Sequence, residues 1–132
     1  MINVLVVEDS PVIKELIVNA IDREKDLKVI GVAVNGVEAV DMVAELKPDV
    51  ITMDVNLPEM NGLDATKRIM ETNPVPIIIC SANFDPKDMQ DTFSALSAGA
   101  AAVAEKPHSY GTKTFDVLAS RLVNNIRLLS TI

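Results

Sequence analysis

Four short stretches of this chain place a reactive side chain just after an apolar run. Glu8-Asp9 follow INVLVV, Asp54 follows DVITM, Ser81 follows VPIIIC, and Lys106-Pro107 come shortly after AAVA. If those runs are neighbouring strands, three carboxylates meet at one edge. Like charges at that distance repel and call for a cation. Oxygen donors without Cys or His suit a hard ion such as Mg²⁺. Lys106 adds a fixed positive charge. The guest that fits between a hard cation and a lysine is an anion such as a phosphoryl group, which lysine meets as a point charge.

Can the chain bring those residues together? Apolar runs alternate with helical patterns along its whole length. Ile2–Val7, Leu27–Val34, Asp49–Met53, Val75–Cys80 and Ala101–Ala104 read as five strands. Ser10-Pro11 is an N-cap with proline in the first helical position, and Val12, Ile13, Leu16, Ile17, Ala20 and Ile21 follow at helical spacing. Asn35-Gly36 turns into a second helix carrying Val37, Val40, Val43 and Ala44, and Gly62–Glu71 reads as a short third. Asp85-Pro86 opens a fourth with Met89, Phe93 and Leu96, ended near Gly99, where a C-terminal cap is expected. A last helix over about 112–129 carries Phe115, Leu118, Leu122, Ile126 and Leu129. Five strand–helix units predict an α/β fold, one domain over residues 1–132, with a parallel sheet covered on both faces. Such sheets bind ligands at the carboxyl ends of their strands, where the reactive residues stand.

Composition narrows the function. Of 132 residues, 48% are hydrophobic, enough for a real core, but only 3% are aromatic, so the core is built from Val, Ile, Leu, Met and Ala. A net charge of −7 argues against a nucleic-acid grip, which needs a basic face. The single Cys excludes an internal disulfide and points to a reducing compartment. No apolar run approaches the roughly 20 residues of a membrane span, and MINVLVVEDS lacks the basic start of a signal peptide. The expectation is a cytoplasmic protein with no membrane partner.

The motifs VVEDS, MDVNLPEMNG, SA and EKP, in that order and spacing, resemble the receiver domain of two-component response regulators. The segments LKPDVITMDVNLPEMNGLDATKRIME and FSALSAGAAAVAEKP are most similar to the N-terminal receiver of chemotaxis protein-glutamate methylesterases, and FDVLASRLVNNIRLLSTI to the segment leading into the linker of those enzymes. The resemblance implies a flavodoxin-like, doubly wound sheet of strand order 2-1-3-4-5 with five helices. It implies that Asp54 accepts a phosphoryl group from a histidine kinase of chemotaxis type, with Mg²⁺ held by Glu8, Asp9, Asp54 and the backbone carbonyl of Asn56. Lys106 would pair with a phosphoryl oxygen, and Ser81 would hydrogen-bond the phosphorylated aspartate. Pro58 and Gly62 would shape the loop after the acid. Asn56 and Asn83 match positions that tune phosphoryl lifetime, and small Ala82 leaves access. A cis peptide before Pro107 is a further family expectation. Val103 departs from the family, which often has Tyr or Phe there as a rotameric switch, so coupling rests more on Ser81 and packing. Asn56 also departs, since that position is often acidic in the methylesterase group. Phosphorylation would alter the face of helix four, strand five and helix five, which would restrain a C-terminal methylesterase or another output domain. The chain itself would not be an enzyme beyond losing its own phosphoryl group.

Each residue also has a plainer reading. Glu8-Asp9 could favour a helix dipole, Asp54 could be a turn residue, and Lys106-Pro107 a plain strand exit. Cys80 reads as an inert buried thiol and His108 as a solvated loop residue. Competing functions remain: a stand-alone regulator instead of a methylesterase fragment, an aspartyl-phosphate phosphatase, or a degenerate receiver that only binds. The phosphatase lacks a second acid two residues beyond the nucleophile, where Asn56 stands.

Overall fold

A computed structural model describes residues 1–82 and 86–131. The elements run β1 (Ile2–Val7), α1 (Pro11–Asp22), β2 (Leu27–Ala33), α2 (Gly36–Leu46), β3 (Val50–Asp54), α3 (Gly62–Thr72), β4 (Ile77–Ser81), α4 (Pro86–Ser97), β5 (Ala102–Glu105) and α5 (Lys113–Leu129). The strands form one parallel sheet in the order β2-β1-β3-β4-β5. This is the order implied by the resemblance.

Strand alternation divides the core into two layers. Leu5, Val7, Ile51, Met53, Ile77 and Ile79 face α2, α3 and α4, where Val43, Ile69 and Ala95 meet them. Val4, Val6, Val50, Ile78, Cys80 and Ala104 face α1 and α5, against Ile17, Ile21, Leu122 and Ile126. The side chains of β3 and β4 are buried throughout, as a strand covered on both faces requires. Each such Ile or Leu contributes about 1.5–3 kcal/mol on burial.

Side-chain caps start the helices. Ser10 Oγ accepts the Ile13 N–H, Asn35 Oδ1 the Glu38 N–H, Asn61 Oδ1 the Asp64 N–H and Thr112 Oγ1 the Phe115 N–H. Several boundaries differ from the sequence reading. β3 begins at Val50, because the Asp49 carboxylate turns to accept the Asn3 N–H at 2.8 Å. β4 begins at Ile77, because Pro76 has no N–H to give a ladder, though its carbonyl accepts from Ile51. On α4, Met89, Phe93 and Leu96 are exposed. Asp85 lies outside the described residues.

Candidate functional site

The period of two that builds the α1/α5 layer also sets the site. Val4 and Val6 lead to Glu8, Val50 and Thr52 to Asp54, and Ala102 and Ala104 to Lys106. Three charged groups therefore crown an apolar layer at adjacent strand ends, and all three are buried. Lys106 Nζ lies 2.8 Å from Glu8 Oε1 and 3.1 Å from Asp54 Oδ2. Glu8 Oε2 accepts the Ser10 N–H at 3.2 Å. Beyond this ammonium contact, the buried Glu8 Oε1 has no hydrogen-bond partner among the described residues.

Electrostatics mark the cluster as under-compensated. Burial, the largest cause, and the nearby Asp54 charge push the Glu8 carboxyl up to about 7, against the pull of Lys106. Burial works against the Lys106 ammonium too, yet the Glu8 and Asp54 carboxylates outweigh it and hold its pKa above the ordinary value. Asp9, exposed, stands beside them. One carboxylate oxygen each of Glu8, Asp9 and Asp54 lies within 4.8 Å of the others. Three hard donors and an oxygen short of a partner fit a divalent cation of the Mg²⁺ class.

The loop after Asp54 is held from several sides. The Asn56 N–H donates to Asp54 Oδ1 at 3.0 Å, so both oxygens of the acid are engaged. Leu57 is buried in the core, while Asn56 and Pro58 are exposed. Gly62 is required by space: a Cβ there would lie 2.1 Å from the Asp54 carbonyl oxygen. Its N–H donates to the Val55 carbonyl at 3.1 Å. Proline at 58 and glycine at 62 thus sit in a short, tightly seated turn.

Other expected residues fall nearby or elsewhere. Ser81 ends β4, is buried, and gives its carbonyl to the Lys106 N–H at 2.8 Å. Strand alternation places it with Ile77 and Ile79, on the α2–α4 side of the sheet. Val103 is half-buried and packs against that same layer. Ala82 is exposed; Asn83 lies outside the described residues. The Lys106–Pro107 bond is trans, not cis as the resemblance implied; trans is the intrinsically favoured form even before proline, and the Lys106 contacts above are made with it. Cys80 is buried, and burial raises its thiol to about 12. His108 is exposed in its loop, as expected, with its ring nitrogens 2.9 Å from Glu105 Oε2 and 2.9 Å from Ser109 Oγ. Sequence reasoning assigned Lys106 to an incoming phosphoryl group and missed its contact with Glu8, which depends on strand order more than on any local motif.

Residues 4–112 match the family described as response regulator receiver domain. Over all 132 residues the chain is 43% identical to a protein-glutamate methylesterase/protein-glutamine glutaminase of Nitrosospira multiformis and 47% identical to one of Syntrophus aciditrophicus. It spans 37% of the length of each. Among solved structures, the response regulator domain of Thermotoga maritima CheB superposes with a TM-score of 0.86 at 39% identity, covering 100% of this chain and 98% of that one.

Proposed function

The chain belongs to the response regulator receiver family, homologous to the N-terminal regulatory domains of CheB methylesterases, and we propose that Asp54 is its phosphoacceptor. The observation that carries this is the position of Asp54: buried at the end of β3, 3.1 Å from Lys106 and within 4.8 Å of Glu8 and Asp9. A carboxylate oxygen of Asp54 attacks the phosphorus of a phosphohistidine on a histidine kinase. The new O–P bond makes an aspartyl phosphate, the P–N bond breaks, and the leaving imidazole takes up a proton. Lys106, already fixed beside Asp54, follows the negative charge onto the transferred group. Glu8, Asp9, Asp54 and the Asn56 carbonyl would hold Mg²⁺, which supplies neutralisation of the phosphoryl oxygens. Ser81 hydrogen-bonds the phosphorylated acid, and Val103, lacking a ring to flip, transmits the change through packing. Asn56 and Asn83 set how fast water removes the group.

Residues 1–132 act as one regulatory domain in the cytoplasm. No helix among the described residues is long and apolar enough to cross a membrane. Likeness to methylesterases along the whole chain supports a chemotaxis kinase as donor and a C-terminal methylesterase domain as the output. The exposed Met89, Phe93 and Leu96 of α4 suit the α4–β5–α5 face as the surface that meets it.

Incubation with Mg²⁺ and a small phosphodonor, with beryllofluoride in parallel, tests the reading by intact mass and chemical shifts. A phosphoryl mass that disappears in Asp54→Asn, with shifts at Ser81 and around Val103, is expected. No added mass and no response to Mg²⁺ would overturn it.

A further inference from the structure

Gly36 opens α2 and is not itself a residue of the acidic cluster. A Cβ built on it would lie 2.1 Å from the Met60 carbonyl oxygen and 2.7 Å from the carbonyl carbon. Its N–H already donates to that oxygen at 2.8 Å. Gly62 repeats this arrangement at the first position of α3, with its Cβ direction closed by the Asp54 carbonyl and its N–H on Val55. Neither glycine has a positive φ, so both are needed for room and not for conformation. Each follows an asparagine cap with an acid three residues after it, in NGVE and NGLD.

We propose that Gly36 is a positioning residue for the Asp54 loop, with the start of α2 serving as the backstop that sets where residues 56–60 stand relative to the acidic cluster. At its near end the loop is fixed by Gly62 and by the Asn56 N–H; at its far end the contact is Gly36 on Met60. Between them Glu59 is left-handed, at φ 63°, a conformation disfavoured for a residue with a Cβ. Gly62 closes the base of the turn, and the Gly36 contact bears on its Met60 limb. Because the obstruction at Gly36 is backbone, it cannot swing aside: a methyl group there must push Met60 back into the loop or lift α2 off the sheet.

The proposal deepens the receiver reading and rests on it, so the test includes wild type beside Gly36→Ala and Asn35→Ala. Amide shifts of residues 55–62 are read without metal, then the Mg²⁺ affinity and thermal stability of each protein. Asn35→Ala removes the α2 cap but keeps the fit, so it should lower stability and leave loop shifts and Mg²⁺ affinity unchanged. Gly36→Ala should shift the loop amides even without metal and weaken Mg²⁺ roughly 10-fold or more, as loss of a supporting contact does. Unchanged loop shifts and affinity in Gly36→Ala, or equal weakening in both variants, overturn the proposal alone. Wild type that takes up neither Mg²⁺ nor a phosphoryl group overturns the receiver reading and the proposal with it. If Gly36→Ala does not fold, wild type decides by hydrogen exchange. The Gly36 amide should slow on adding Mg²⁺ while that of Glu38, bonded only to Asn35, does not; an equal response overturns the backstop.

Discussion

Two clusters in this molecule each set one cation between two carboxylates, and they have opposite character. At the carboxyl edge of the sheet, Lys106 stands between Glu8 and Asp54, with side-chain exposures of 10%, 1% and 5%. Away from that edge, Arg127 near the end of α5 holds Asp26 by two donors at 2.8 and 2.9 Å and Glu24 at 2.7 Å, with exposures of 38%, 47% and 29%. The guanidinium fork matches carboxylate geometry, and it holds the Asp26 carboxyl below its ordinary range. That cluster is satisfied. The buried one is not: its point-charge cation leaves Glu8 with a raised pKa and an oxygen with no other hydrogen-bond partner among the described residues. The difference comes from burial and from neighbours: Arg23 lies 3.9 Å from Glu24 in the exposed cluster, whereas Asp9 adds a third carboxylate to the buried one. The exposed carboxylates have two guanidinium groups and water, whereas under the strand ends one ammonium and three acids leave a demand for a second cation.

The sharpest way to break the contrast is to remove each cation. Lys106→Met leaves two buried carboxylates without a partner and should destabilise the metal-free protein by about 3 kcal/mol in denaturant unfolding, with Mg²⁺ restoring part of the loss. Arg127→Met should cost far less, since its partners return to water.

The second effect is on pH. Folded Glu8 keeps a proton up to about 7 that the unfolded chain releases near 4.5. Its contribution is therefore favourable below that window and is lost as pH rises through it. Metal-free unfolding midpoints followed from pH 4.5 to 7.5 should show this decline, and Glu8→Gln should remove it. Mg²⁺ competes with that proton, so its affinity should rise with pH over the same window.

A smaller effect concerns Thr52, one step below Asp54 on the same strand face, whose buried hydroxyl has no hydrogen-bond partner among the described residues. Thr52→Val should stabilise by about 1 kcal/mol, read as a higher midpoint with an unchanged denaturant slope. The smallest is Asp26→Asn. Its depressed pKa contributes stability that is present above the unfolded value and lost as pH falls through the folded one. The variant should differ from wild type only slightly at neutral pH, and the difference should vanish in high salt.

How much of this could be read from the chain before its fold? The alternation of five strands with five helices was legible because the apolar periods are regular, and the reactive residues stood out because each broke an apolar run. Boundaries were less legible where a side chain competes with the ladder, as Asp49 does by capping Asn3. The apolar spacing of Met89, Phe93 and Leu96 marked a helix but not its surroundings, since periodicity says which residues share a face and not what covers it. The two Asn-Gly pairs were visible as turns. That their glycines abut the Asp54 loop is a fact of tertiary distance, and the only local sign was the recurrence of NG with an acid two residues on.

A turn held by its backbone has freedom to spend elsewhere. Besides the Asp54 carboxylate and the buried Leu57, the contacts that seat residues 55–62 use carbonyls, amide hydrogens and missing Cβ atoms, while Asn56, Pro58 and Glu59 are exposed. Glu59, left-handed at φ 63°, accepts only residues that tolerate that conformation, but Asn56 and Pro58 can be exchanged with little disturbance to the scaffold beneath them. Mutational libraries confined to them should yield proteins of nearly constant melting behaviour and widely different phosphoryl lifetimes, so that signal duration becomes a separately adjustable trait, whereas inserting a single residue into the same turn should be fatal.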